Sequence, residues 1–410
     1  MNPALASYAE AFERFTAVVP APQRAARRER LNEFLKLGFP HRKVEDWRYT
    51  DLSTLATGSF INASDATDSL SGAFLPRTDR LVYINGHLDK TQSTADELSD
   101  WIAGDDVTGD AVAALNAAFA LPGLNLKLGR NATIARTLHI VIAGHPQNSP
   151  AMNHQRHRIE LGEAAEATIV FDFIGLGDGA HLATHTLDIR LAAGARLQLY
   201  RVQNERAGST LLTRIDARLA RDSHFEAVCV DGGSGLARHD LNVELAEPGA
   251  EVIVDGLFMP VPGAHIDNHT RIVHAAPHGR SRELFKGIVD ERTRAVFNGK
   301  IIVRPGAQKT DSEQHVANLL LSRRAEIDAK PELEIYADDV KCAHGATVGQ
   351  LDETALAYLR SRGIDAATAR ALLLRAFASE VLDKVEPAAL RARLRQQLNL
   401  PAGDSLDIAA

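Results

Sequence analysis

The feature that most constrains this chain is a drifting repeat. Four phrases of one design lie between residues 159 and 254: IELGEAAEATIVF, LDIRLAAGARLQLY, IDARLARDSHFEAV and LNVELAEPGAEVIV. Each is an alternating apolar strand ending on a leucine, a short small or polar turn, and a second alternating strand. The landmark leucines are Leu161, Leu191, Leu219 and Leu245, spaced by 30, 28 and 26 residues. Fainter echoes follow at Val273, Val303 and Ile335. Strand repeats of this length with no helical filler predict a parallel β-solenoid, in which each coil stacks on the last and inward side chains form files of period two. A β-sandwich also supplies many short strands and turns, but the repeated leucine register favours the solenoid.

The flanks read differently. ALASYAEAFERF and RRERLNEFLKLG place apolar residues at helical spacing, and Gly38 and Pro40 stop the second helix. LVYINGH (81–87) predicts a short strand ending in a turn, and DAVAALNAAFA (110–120) a helix closed by Pro122-Gly123. After Gly349 the helical pattern returns. Asp352 and Asp365 are expected N-caps, Gly363 a C-terminal stop, and Pro387 the start of a third helix. In the second of these helices Leu372, Leu373, Ala376, Phe377 and Val381 are expected to share an apolar side. The tail after Pro401 is expected to fray. The expected organisation is a mainly helical region 1–125, a β-helix core 126–348 and a helical region 349–410. Helical segments at the two ends suit a solenoid, whose exposed strand edges otherwise invite aggregation.

Composition narrows the function. At 45% apolar and 24% charged, the chain of 410 residues reads as an ordinary globular protein. A net charge of −7 argues against a broad nucleic-acid or anionic-membrane surface, and the basic run Arg24 to Arg30 suits a solvated helix face. The N-terminus does not read as a signal peptide, and no apolar run approaches the roughly 18 residues of a membrane span. Two cysteines, Cys229 and Cys342, make no disulfide framework. The expected compartment is the cytoplasm, with both thiols reduced.

Two groups of side chains could carry chemistry. Cys342 and His344 stand two apart in ADDVKCAHGAT, so on a strand they leave the same face. An imidazolium there could lower the thiol pKa, and the pair could ligate a soft or borderline metal. Two ligands are half a site, so any metal needs the rest from another chain. The alternative is a buried cysteine beside a hydrogen-bonded histidine. Histidines concentrate in the repeats, where 14 of the 16 lie between His139 and His344. The densest group, AHIDNHTRIVHAAPHG, would put His265, Asp267 and His269 on one strand face, as a metal site or as a polar ladder. GLGDGAH (175–181) is followed by a strand pattern rather than a helix, and DGGSGLARHD (231–240) lacks the lysine of a P-loop, so both read as turns and no nucleotide site is expected. There is no GxSxG elbow, and Asp338-Asp339, adjacent on a strand, point to opposite faces.

Longer blocks are more specific. DNHTRIVHAAPHGRSRELFKGIV and FNGKIIVRPGAQKTDSEQHVANLLLSRRAEIDAKPELEIYADDVKCAHGATVGQLDE closely resemble the core of the SufB/SufD family, components of the SUF iron–sulfur cluster assembly machinery. GFPHRKVEDWRYTDL is similar to the family's N-terminal motif. With only Cys342 standing in a family motif, the chain resembles the cysteine-poor branch rather than SufB. The resemblance implies a mainly β fold, a right-handed parallel β-helix between helical ends. It also implies pairing with SufB through the β-helices, and recruitment of the ABC-type ATPase SufC through the C-terminal helices. Such a chain is a non-catalytic scaffold, with ATP hydrolysed by SufC, sulfur delivered indirectly from SufS/SufE, and a homodimer open to it when alone. The family's KCxHGAT motif maps its interface histidine onto His344 and its cysteine onto Cys342, which would meet a transient iron–sulfur cluster shared with SufB. A flavin associated with the whole complex is compatible with this. SufC docking is expected on 352–384, notably at Leu372, Leu373 and Phe377. Two rivals stay in view. One is a self-sufficient SufB-like homodimeric scaffold, against which the scarcity of cysteine tells. The other is a carbohydrate-active β-helix enzyme, which would call for a signal peptide and clustered charged residues along one face.

Overall fold

A computed structural model describes residues 3–95, 99–100, 109–146, 149–177, 179–233 and 235–398. From Leu121 to Gly349 the chain alternates between two sheets, one strand in each per coil. Every ladder between successive coils is parallel, from Leu138–Gly144 on Glu166–Gly175 to Asp311–Leu320 on Lys341–Gly349. This is a parallel β-solenoid of eight coils, not a sandwich.

The leucine register is the physical core of the stack. Leu161 pairs with Leu191, Leu191 with Leu219, and Leu219 with Leu245, all buried. The file continues through His274, Val303 and Ile335. Val273 is therefore one residue out of register: it pairs with Glu244 on the outer face, and the inward position belongs to His274. His274 is fully buried and meets Ser281 Oγ at 2.9 Å from its Nε2, which satisfies one nitrogen inside an apolar file. The turns explain their own composition. Ala164, Gly194, Asp222, Gly249 and His278 occupy corresponding corners with φ between 53° and 75°, the left-handed region that favours glycine and short polar residues.

Helices clasp the two outer faces. The N-terminal helices Ala6–Thr16 and Ala21–Leu37 and the helix Ala111–Phe119 bury Phe12, Phe34, Leu115 and Phe119 against Met152, Leu182 and Leu212 of one sheet. The C-terminal helices Ala366–Leu382 and Ala388–Gln397 bury Ala378, Val381, Leu390 and Leu394 against Val202, Val230, Leu257 and Ile288 of the other. Arg393 reaches Asp172 at 2.6 Å, and Asp172 also meets His139 at 3.1 Å, so the last helix is tied to the first coils.

Three details add to or depart from the sequence reading. The helix ends at Phe119, ahead of Pro122-Gly123, and that pair itself lies within strand Leu121–Leu128, where the register shifts between Pro122 and Asn125 and absorbs the missing proline donor. Strand Asp79–Ile84 pairs in parallel with Leu138–Gly144, so solenoid ladders take in residues ahead of 126. The buried side of helix Ala366–Leu382 is Ala369, Leu374, Ala378, Val381 and Leu382, with Ala376 exposed. The tail after Pro401 lies outside the described residues. Among the described residues no helix is long and apolar enough to cross a membrane.

Candidate functional site

The solenoid ends on two strands, Glu326–Ile335 and Lys341–Gly349, each the outermost member of its sheet. Cys342 and His344 share the second of these and both stand on inward files. Val252, Ser281, Ser312 and Cys342 stack in register, and beside them Val254, Glu283, Gln314 and His344. Both files are hydrocarbon in the middle coils and turn polar over the last three. Because no further coil covers them, Cys342 is half-buried against the core and His344 is exposed. The following helix, Glu353–Ser361, has no buried residue and packs on helix Ala366–Leu382 instead.

Burial pushes the Cys342 pKa up and the nearby Asp311 carboxylate adds to it, opposite in direction to the lowering that a neighbouring imidazolium could give. Behind the mouth, Glu283 is buried and its carboxyl is raised to about 7 by that burial.

His265 and His269 do share a face with Asp267, as strand spacing requires, but that face is occupied by the N-terminal segment. Thr50 donates its hydroxyl to Asp267 Oδ2 at 2.5 Å and lies 2.8 Å from His265 Nε2. Asp267 also takes Arg238 at 3.2 Å and His269 at 2.9 Å. Burial works to raise the Asp267 carboxyl, but His269, Arg238 and Thr50 outweigh it and hold it well below the usual range. Arg238 in turn donates to the Asp46 carbonyl and stacks on Trp47. The geometry is that of a latch for residues 46–50. Among the described residues no three or more histidines, cysteines or carboxylates are grouped to hold a metal.

Sequence reasoning missed a second buried network. Arg201 makes a two-pronged pair with Asp231 at 2.7 and 3.1 Å, and Asn268 bridges both partners. His239 lies 3.1 Å from Asp231 and 2.7 Å from Thr213. All stand on inward files, beside the buried Cys229. The signal was available: in LQLYRVQ the inward positions run Leu197, Leu199, Arg201, Gln203, so the alternation itself places an arginine inside.

Of the expected docking residues, Leu372 and Leu373 are half-exposed, whereas Phe377 lies with its ring 4.3 Å from Lys286 Nζ and its carbonyl accepting from the same amine. Lys286 also pairs with Glu380.

A two-sheet parallel solenoid clasped by helical arms, with a thiol and an imidazole at its uncovered end, defines a class of protein rather than a single activity. Comparison with known proteins names that class. A family model described as "SUF system FeS cluster assembly, SufBD core domain" matches residues 142–377. The chain is 34% identical to the iron–sulfur cluster assembly protein SufD of Escherichia coli, with 92% of each chain covered. It is 30% identical to an iron–sulfur cluster assembly SufBD family protein of Synechocystis sp., covering 88% of this chain and 87% of that one. A chloroplastic protein of Arabidopsis thaliana, ABCI7, is 34% identical over 60% of this chain and 52% of its own. The chain belongs to the SufB/SufD family of the SUF system, on its SufD side.

Proposed function

We propose that this chain is the scaffold subunit that pairs with SufB through its uncovered solenoid end and carries His344 to a cluster site completed by SufB thiolates. The observation that carries this reading is the coincidence of two things on the same pair of strands. Glu326–Ile335 and Lys341–Gly349 each have a neighbour on one side only, and their inward positions hold Cys342 and His344. An outermost strand offers a row of unpaired backbone donors and acceptors, a template for another chain's strand. Ile335 and Val348, inward positions elsewhere filled by core residues, are 41% and 50% exposed here. A partner solenoid would bury them.

The chemistry follows from the ligand type. A neutral imidazole in place of a fourth thiolate lowers the negative charge at iron and leaves a labile bond, which suits a cluster that must depart. Cys342, with a raised pKa, would serve as a thiolate only once a partner or metal displaced its proton. The C-terminal helices are the docking surface for SufC, whose ATP-driven closure would twist the pair and uncover the interface ligands. Sulfur would arrive on SufB from SufS/SufE.

Light scattering on a size-exclusion column tests the assembly: this chain mixed with its cognate SufB and SufC should give one complex with one SufB, one of this chain and two SufC. His344→Ala should assemble equally well and lose cluster formation. A lone homodimer that binds iron by itself would overturn the reading, and an assembled His344→Ala complex with undiminished cluster formation would remove the histidine's role.

A further inference from the structure

The polar end of the file beneath His344 has a direction built into it. Gln314 donates from Nε2 to Glu283 Oε2 at 2.5 Å, while Gln314 Oε1 is buried with no partner. The orientation of that amide is not free. In its ionised form the Glu283 carboxylate only accepts, so it then faces the NH2 side of the carboxamide. The carbonyl is thereby left without a partner, and the other neighbour of Gln314 in the file, in register, is His344. Room for Gln314 to lie across the interior comes from Gly299 on the facing sheet, where a Cβ would collide with Gln314 Nε2. A buried carboxyl and a carboxamide whose carbonyl lacks a partner are costly in a solenoid interior; hydrocarbon fills the same file one coil before Glu283, at Val254.

We propose that Glu283 and Gln314 are positioning residues for His344: Glu283 fixes the Gln314 amide, whose carbonyl accepts one imidazole N–H and holds His344 as a single tautomer with its other nitrogen free for a metal. This rests on the reading of His344 as an iron-holding residue. It deepens that reading by assigning the group that orients the ring, the role a carbonyl or carboxylate commonly plays behind a metal-bound histidine.

The experiment reads the ring itself, without a cluster. Full-length chain carrying 15N-histidine is measured at pH 8 by two-bond nitrogen–proton correlation, with His344→Ala locating the His344 signals. The wild type should show one dominant tautomer. Glu283→Gln, an isosteric change, lets the two amides pair either way round and should shift the tautomer ratio about tenfold, the equilibrium worth of one hydrogen bond. The swap Glu283→Gln with Gln314→Glu restores an acceptor facing His344 and should restore the single tautomer. A wild-type tautomer ratio in Glu283→Gln overturns the proposal, and so does a swap that fails to restore it. Because cluster formation is not measured, either failure leaves the proposed role of His344 to its own test.

Discussion

The guanidinium of Arg238 lies 3.8 Å from the centre of the Trp47 ring, and this stack fastens the N-terminal segment to the outer face of a sheet almost 200 residues away in sequence. Arg238 is itself buried between Asp240 and Asp267. The segment thus closes over ionised groups that could not remain paired and dry without it. Trp47→Ala should cost about 1–2 kcal/mol, the range of a partly desolvated cation–π contact. Thr50→Val, which keeps the shape but strips Asp267 and His265 of a shared hydroxyl, should cost about 1–3 kcal/mol. Urea unfolding gives the totals, and amide exchange across residues 45–52 should accelerate in both variants. Unchanged exchange there would mean that the latch does not hold the segment.

The buried histidines set a second expectation. Burial lowers His154 and His157 to about 3, His181 and His274 to about 4, and His185 well below its ordinary value. In the unfolded chain these rings take up protons as pH falls through about 6.5, whereas in the folded chain they stay neutral, so each contributes stability that is lost at about 1.4 kcal/mol per pH unit below that point. Glu205 and Glu283, raised to about 7 by burial, act in the opposite sense: folded, they bind protons that the unfolded chain releases, and they gain stability over the same window. The lowered histidines outnumber the raised carboxyls, so the net effect is a loss of stability as pH falls. Calorimetry between pH 7 and pH 5 should show a steadily falling Tm. A flat or rising Tm would show that the rings are not held neutral.

How much of this was legible follows from which forces act within a strand. Stacking imposes one inward side chain every second residue, so Leu161, Leu191, Leu219 and Leu245 announce the coils in the sequence itself. At His274 the aliphatic pattern points one residue astray, to the neighbouring Val273. Only the coil that brings Ser281 within reach makes a histidine acceptable inside. The latch was visible as two separate motifs, but nothing local says that Thr50 meets Asp267. The same holds for Arg201 and Asp231, which are 30 residues apart in sequence and adjacent only through the pitch of the coil. Cys342 and His344 could be read as sharing a face; that the face looks out of an uncovered solenoid end could not, because it depends on where the helices go after Gly349.

The thiols give a prediction independent of any partner. Cys229 is enclosed beside Arg201, and burial outweighs the guanidinium and raises its pKa. Cys342 is half-buried and raised by that burial and by Asp311. In the isolated native chain a thiol reagent at pH 7 should modify Cys342 more slowly than a free thiol and leave Cys229 untouched until unfolding. A Cys342 that reacts faster than free cysteine would mean that His344 activates it, and the sulfur would then be a nucleophile rather than a latent ligand.

The C-terminal helix Ala366–Leu382 separates two roles that its sequence blends. Its solenoid side is Ala369, Leu374, Ala378, Val381 and Leu382, and Phe377 belongs with them through Lys286. Leu372 and Leu373 stand outside that cluster, half-exposed on a helix already anchored by its other side. An apolar pair left at a helix surface, on an arm fixed to a rigid sheet, is suited to be the centre of a docking contact. Leu372→Asp and Leu373→Asp should therefore leave the Tm within a degree or two, since surface changes cost about 0.5 kcal/mol or less. They should weaken SufC binding at least about tenfold, or about 1.4 kcal/mol. Phe377→Ala should do the reverse in order of size, lowering stability by about 1–3 kcal/mol through lost burial and the lost contact with Lys286. Titration of SufC against each variant, alongside its melting curve, separates the two. If the aspartate variants bind SufC as tightly as the wild type, Leu372 and Leu373 are not the docking contact, and the exposed helix Glu353–Ser361 becomes the surface to test.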